Sequence, residues 1–425
     1  MRVLIIGAGI GGLCLAHGLR RAGIDVEVLE RTGAGTPGLA GYGIHINANG
    51  GRALRECLPE ENWARFKAIA PETTPAVRFS DEHLRTLSLV GTRPGTDPAV
   101  VQRRAVNRLD LRDVLLHGLT DDTSGTSGTS GGVVRWNREF ARYTHTSDGR
   151  VRAHFTDGGH TDGDLLVGAD GANSRVRGQY LPHLGRMDTG VLNIAGRVPL
   201  TPRVSTRLPA WLIDGSVNNI VPNGPGWMFV SAWHTPIQDA PAGQIVWAYA
   251  AARDSYPGNV LEMEPAALRD LVVARTEGWL PDLRALVAGS DPAGVTALRL
   301  RCMPALAPWP AGDVTLLGDA IHNMTPMAGV GANTALRDAL TLCRVLEDAG
   351  TRRSGLLKAV SAYEREMRGY ANHALGLSLR NARNAASEAR LPRIAFRAAL
   401  RVAELVPPVK RVMFADHHAV AAGRR

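Results

Sequence analysis

Three glycines near the start of the chain are spaced for work on a phosphate. Gly7, Gly9 and Gly12 form a G-x-G-x-x-G directly after the apolar run at residues 2–6, and directly before a helical pattern over 11–22 that includes Leu13, Leu15 and Leu19. In such a unit the first glycine permits a tight turn, the second lets backbone approach a pyrophosphate, and the third lets the helix pack close. The helix start, from Ile10 onward, offers free N–H groups and the positive end of its dipole. Glu30 ends the next strand-like run, residues 25–30, with Arg31 beside it, and its carboxylate can accept hydrogen bonds from ribose hydroxyls. The spacing predicts a dinucleotide-binding β-α-β unit. By itself it does not separate FAD from NAD.

Other residue types invite chemistry less specifically. His45 and His322 are candidate general bases, although a histidine in a core or on a surface is common. Trp227, Phe229, Ser231 and Trp233 alternate along one strand-like run, with Trp247 and Tyr249 on a neighbouring one. They either roof a flat apolar pocket, with Trp227, Phe229 and Trp247 as the substrate contacts, or simply pack a core. The four cysteines are scattered with no metal-ligand spacing, so neither a metal site nor a disulfide framework is expected.

The elements that must position these groups follow from the pattern. Residues 33–51 hold seven glycines and read as loops close to a ligand. Residues 108–119 have helical spacing, and Asp121–Gly132 is a Ser/Thr/Gly tract that reads as an exposed excursion. Two strand-like runs over 151–170 end in a glycine turn, β-rich segments fill about 190–300, residues 314–318 give one more buried strand, and 331–348 and most of 355–405 are helical.

Two of these stretches, DLLVGADGANSRVR at 164–177 and LLGDAIHNMTPMAGVGANTALRD at 316–338, complete an ordered set with the N-terminal glycines. Together the three resemble the motifs of the class A flavoprotein monooxygenases, the family of para-hydroxybenzoate hydroxylase, from residue 1 to about 345. The resemblance implies FAD as cofactor and NADPH or NADH as a transient co-substrate. It implies that Asp170 and Gly171, with Arg177, lie where the chain passes FAD and the nicotinamide. Asp319, after Gly318, would hold a ribityl hydroxyl. Pro326, Gly329 and Gly331 would bend the chain into a helix, carrying Ala332, Asn333 and Thr334, whose N-terminus faces the flavin pyrimidine edge. Arg108, and more weakly Arg112, matches an arginine that neutralises the pyrophosphate. GYGIHIN at 41–47 resembles the strand beside the isoalloxazine, with Gly43 and Ile44 as backbone contacts. Where family members carry a proline–asparagine pair, this chain has Asn47-Ala48-Asn49.

The implied fold is α/β, with α+β character in its second domain. A Rossmann-like FAD-binding domain (1–75, 98–185 and 296–345) is interleaved with a β-sheet substrate domain (76–97 and 186–295), followed by a C-terminal helical region (346–425). The implied reaction is hydroxylation or epoxidation of a small, mainly apolar aromatic, polyketide or terpenoid molecule with O2, in secondary metabolism. Alternatives are a non-redox cyclase or metabolite binder with structural FAD, and an antibiotic-inactivating hydroxylase. The W-x-W-x-I-P of the related halogenases is absent, and no thioredoxin-like third domain is expected.

Bulk composition agrees. The chain has 425 residues, 44% of them hydrophobic and 21% charged, enough for two interlocked domains. Its net charge of +9 comes mostly from arginines spread along the chain, which argues against a nucleic-acid partner. No apolar run is long enough to span a membrane, and the apolar N-terminus lacks a signal-peptide cleavage site. These features predict a cytoplasmic monomer or homodimer with no stable membrane insertion. For the basic helix around 393–405, a cap on the FAD domain is expected in preference to a membrane-surface role.

Overall fold

A computed structural model describes residues 1–35, 43–70, 76–91, 104–120, 132–233, 243–349 and 353–414. Gly41, Tyr42 and nearly all of the Ser/Thr/Gly tract fall outside the described residues. The strands in chain order are β1 (Arg2–Ile6), β2 (Asp25–Leu29), β3 (Ile44–Ile46), β4 (Ala76–Ser80), β5 (Thr86–Gly91), β6 (Arg104–Val106), β7 (Val134–Arg135), β8 (Phe140–His145), β9 (Val151–Phe155), β10 (His160–Gly163), β11 (Leu165–Gly168), β12 (Met187–Pro199), β13 (Val217–Ile220), β14 (Trp227–Trp233), β15 (Gln244–Ala252), β16 (Thr296–Cys302) and β17 (Val314–Leu316).

The first sheet is parallel, in the order β17-β11-β1-β2-β7. Its central strands are continuous apolar runs because both faces are covered, and Val3, Leu4, Ile5, Leu165, Leu166 and Val167 have no exposed surface. This arrangement explains why three distant motifs meet. Gly7, Ala169–Asp170 and Gly318–Asp319 each follow the carboxyl end of one of three neighbouring parallel strands, the edge at which open α/β sheets bind ligands. Helix Ile10–Arg21 and helix Gly331–Glu347 pack together over this sheet and share its core.

The second sheet has the order β16-β12-β15-β14-β13-β4-β5 and is antiparallel except where β13 meets β4. One face buries Leu192, Met228, Trp247 and Tyr249 against helices Pro265–Arg275 and Pro281–Ala288. The Rossmann-like unit, the second sheet and the C-terminal helices foreseen in the sequence are therefore present.

Three expectations need correction. The stretch 33–51 is not all loop: β3 and helix Ala48–Cys57 occupy much of it, the helix capped by Asn47, whose side chain accepts from the Asn49 and Gly50 N–H groups. Strand β16, assigned to the FAD unit, pairs along β12 and so belongs to the second sheet. The C-terminal helices divide their work. The long helix Arg353–Ala386 packs Tyr363 and Met367 into the first core, whereas Leu400 and Ala403 of helix Arg390–Leu405 pack on Phe79 and Trp227 of the second sheet. A cap on the FAD unit describes the former only.

Candidate active site

The glycine motif separates into two kinds of position. Gly7 has φ +113°, and a Cβ there would lie 2.5 Å from Ala169 O; at Gly12 it would lie 2.3 Å from Gly7 O. The fold itself demands these two glycines. At Gly9 a Cβ would meet nothing closer than Ala169 O at 4.0 Å, so its missing side chain keeps open the space in front of the helix. Helix Ile10–Arg21 begins there with no side-chain cap and no acid in its first turn, which leaves its N–H groups for an anion. Glu30 closes the turn: its carboxylate accepts from Ala8 N–H (2.8 Å) and from the N–H and hydroxyl of Thr32 (3.0 and 2.9 Å). Three of the carboxylate's acceptor positions are filled in this way. Arg112 reaches the loop, donating from Nε to Ala8 O (3.1 Å) with its guanidinium over Trp136. Arg108, expected as the pyrophosphate arginine, is exposed on the first turn of its helix, as is Arg31 beside Glu30.

The two acidic turns are clasped together. Asp170 Oδ2 accepts from the N–H groups of Arg175 (2.8 Å) and Val176 (3.2 Å), while Oδ1 is buried with no partner in the protein. Gly171 has φ +79°, a region that favours glycine. Arg177 is buried and donates to Ala172 O (3.0 Å) and Ala320 O (2.6 Å), joining the Asp170 loop to the Asp319 loop. Asp319 is exposed at the start of the short helix Asp319–His322.

His322 is not placed as a base for substrate. It is fully buried, and its Nε2 donates to Asp338 Oδ2 (2.6 Å), which also accepts the Gly318 N–H (2.7 Å); Tyr370 donates to Asp338 Oδ1 (2.6 Å). Burial alone would lower the imidazolium's pKa, but the charge and hydrogen bond of Asp338 outweigh it, and the net direction is upward. The cluster holds the Gly318 turn from beneath. Asp338 is a residue that sequence reasoning quoted but left without a role: its place inside LRD, seven residues after Gly331, was the available signal.

Beyond Pro326–Ala328, Gly329 at φ +64° turns the chain into helix Gly331–Glu347, which also starts without a side-chain cap. Asn333 straps this helix to β3: its Oδ1 accepts from Asn47 N–H and its Nδ2 donates to His45 O, both at 2.8 Å. Gly43 and Ile44 enter β3 just before. A Cβ on Gly43 would fall within 1.7 Å of the Trp233 indole, so glycine there is what admits the ring. His45 lies 5.4 Å from Trp233 and 6.5 Å from Phe229, ring to ring. Its Nε2 is 3.0 Å from Gly215 O and 3.3 Å from Ser231 Oγ, and Ser231 donates to Ser216 O. A carbonyl on Nε2 selects the tautomer with the proton there. Trp233 is buried, and its Nε1–H has no partner in the protein.

The aromatic set is thus split. Phe229 and Trp233 join His45, but Trp247 pairs with Val230 and so points to the opposite face of the sheet. There it is fully buried and donates to Ser290 Oγ (2.7 Å), part of a core and not of a pocket. Trp227 shares the face of Phe229 yet packs against Phe79 and Phe396 near the C-terminal helices, donating to Asn219.

Comparison with known proteins agrees with this geometry. Residues 5–54 match a family model for an NAD(P)-binding Rossmann-like domain, and residues 282–376 match one for an FAD binding domain. A solved chain from Photorhabdus luminescens subsp. laumondii, described as an FAD-containing monooxygenase, is 46% identical. The match covers 91% of this chain and 98% of that one, with a TM-score of 0.81. The chain belongs to the class A FAD-dependent monooxygenases. FAD is therefore the cofactor of this class A chain, and the open cradle at Gly9, the uncapped helix starts and the partnerless Asp170 Oδ1 fit it. The Cercospora beticola dual O-methyltransferase/FAD-dependent monooxygenase CTB3 is 31% identical over 398 residues. That match takes in 86% of this class A chain but 44% of the relative, so the chain spans less than half the length of that protein. Klebsiella pneumoniae HpxO, solved with FAD and uric acid, has the same fold: TM-score 0.78 at 21% identity, covering 99% of this chain and 97% of that one. Among the described residues of the class A chain, no group of His, Cys, Asp and Glu is placed to hold a metal ion. No described helix is long and apolar enough to cross a membrane.

Proposed function

We propose that this chain uses NAD(P)H and O2 to hydroxylate or epoxidise a small, mainly apolar organic molecule bound between β3 and β14. The observation that carries the reading is the group His45, Phe229, Ser231 and Trp233 set against Gly43: an apolar wall with two polar atoms, beside the glycine helix starts. When bound, FAD supplies the redox chemistry and the activation of O2. The protein's part is to bind, orient and keep water out.

In this reading Gly7, Gly9, Ile10 and Gly12 form the pyrophosphate cradle, with Arg112 at its rim and Glu30 toward the ribose. Asp170, Gly171, Gly318 and Asp319 hold the linking polyol, whose buried hydroxyls need fixed acceptors. Pro326, Gly329, Gly331, Ala332 and Asn333 would present an uncapped helix N-terminus to FAD, and the positive end of that helix would favour negative charge on the cofactor. Gly43 and Ile44 contribute backbone beside the ring. Phe229 packs a flat substrate, the Trp233 indole N–H donates to a substrate oxygen, and His45 takes a proton from a phenolic hydroxyl. The FAD unit comprises 1–75, 98–185 and 296–345, with β16 lent to the substrate sheet of 76–97 and 186–295. Relatives named as urate hydroxylases and as fungal dual-function monooxygenases support an organic small-molecule substrate.

The test is NAD(P)H consumption by the FAD-loaded protein against phenolic, polyketide and terpenoid compounds. A compound that accelerates consumption, and does so less in Trp233→Phe, is the expected result. Bound FAD that no compound activates would favour a non-redox cyclase or binder.

A further inference from the structure

Helix Arg390–Leu405 buries two arginines beside its apolar contacts Leu400 and Ala403. Arg393 donates to Gly226 O (2.8 Å), and Arg397 donates to Val221 O (2.7 Å) and Glu82 (2.8 Å). Glu404 is exposed at the helix edge and accepts from Leu89 N–H (2.8 Å), Ser88 Oγ (3.2 Å) and Lys410 (2.8 Å). Four of its apolar residues face solvent. Leu391, Ile394, Val402 and Leu405 recur at helical spacing on the outer side, with Leu391 80% and Leu405 82% exposed, and Val409 and Val412 extend the strip onto helix Pro407–Met413. Of ten exposed large hydrophobic side chains among the described residues, seven lie between Leu391 and Val412. Scattered singly they would be ordinary; gathered in one strip they mark a surface for an apolar partner.

The charges beside the strip say which partner. Arg390, Arg401 and Arg411 are exposed along it, and the one acid between Arg390 and Phe414 is Glu404, already paired with Ser88, Leu89 and Lys410. A second copy of the chain would set like charges against these arginines. An anionic lipid surface would complement them and take the aliphatic side chains between its headgroups. We propose that the two C-terminal helices dock this chain, peripherally and reversibly, on anionic membrane surfaces, lying in the plane of the headgroups. The attachment is interfacial, since neither helix is long and apolar enough to span. It is independent of which substrate the site takes.

The experiment is sedimentation of the full, FAD-loaded chain with phosphatidylcholine vesicles, with and without phosphatidylglycerol. The chain should pellet with the anionic vesicles, stay in solution with the neutral ones, and be released by salt. A double variant, Leu405→Ser with Val412→Ser, should bind anionic vesicles about tenfold more weakly or worse. Its flavin spectrum and Tm should match the parent, because both side chains lie on the surface. Wild-type chain that stays in solution with both vesicles, or a double variant that pellets like the parent, would overturn the proposal. So would a concentration-dependent dimer abolished by the same substitutions, which would give the strip to self-association.

Discussion

Gly9 and Gly12 are equivalent letters in the motif but sit in unlike surroundings. Gly9 has an ordinary φ of −82° and room for a Cβ, so Gly9→Ala should fold with an unchanged Tm as apoprotein yet bind FAD about tenfold more weakly or worse, about 1.4 kcal/mol, in a fluorescence titration. Gly12→Ala drives a methyl into Gly7 O and should cost stability itself, about 1–3 kcal/mol, seen in denaturant unfolding of the apoprotein. The histidines divide in the same way. His45→Gln should lower turnover of a phenolic substrate by about 100-fold and remove the acidic limb of its pH profile, with FAD affinity retained. His322→Gln should lower Tm and leave the shape of that profile alone, because His322 touches Asp338 and not the pocket. Equal pH profiles for the two variants would contradict the assignment.

At the scale of elements, the long helix Arg353–Ala386 carries a buried acid that titrates with the fold. Burial raises Glu364 to about 7, although Thr315 donates to it at 2.8 Å. Its proton is held more tightly in the folded chain than in the unfolded one. The contribution to stability is thus full below about 4.5 and lost as pH rises through about 7. Glu364→Gln should therefore be neutral near pH 4 and stabilising by about 2–3 kcal/mol at pH 8, measured by urea unfolding at both. The same scale shows what was readable beforehand. β1, β11 and β17 were visible because a doubly covered parallel strand is a continuous apolar run, and each ends on a glycine or acid that its turn requires. The face of Trp247 was not, because alternation fixes sides within one strand, whereas the relation of β14 to β15 depends on register across a connection. Nor was the inner face of helix Arg390–Leu405: Leu400 and Ala403 follow the usual rule that apolar residues turn inward, but Arg393 and Arg397 join them by finding carbonyls and Glu82, which leaves Leu391, Ile394, Val402 and Leu405 outside. Arg112 and Asp338 act on backbone groups of distant turns, contacts that leave no local pattern in a sequence.

Over the whole molecule, the division of labour is spatial. One parallel sheet gathers three turns at a single edge. A second sheet brings Phe229, Ser231 and Trp233 to β3, and Asn333 fixes β3 to the helix that starts at Gly331. A site made where two units meet can admit a cofactor from one side and a substrate from the other, and this is the architecture the proposed reaction needs. The most direct measurement is transfer of isotope from 18O2 under turnover with NAD(P)H and a compound that stimulates its oxidation. Incorporation of a single labelled oxygen atom into the product, in step with NAD(P)H consumed, is the predicted result. Stimulated consumption with unlabelled product, or a product formed equally well without O2, would contradict monooxygenation by this chain.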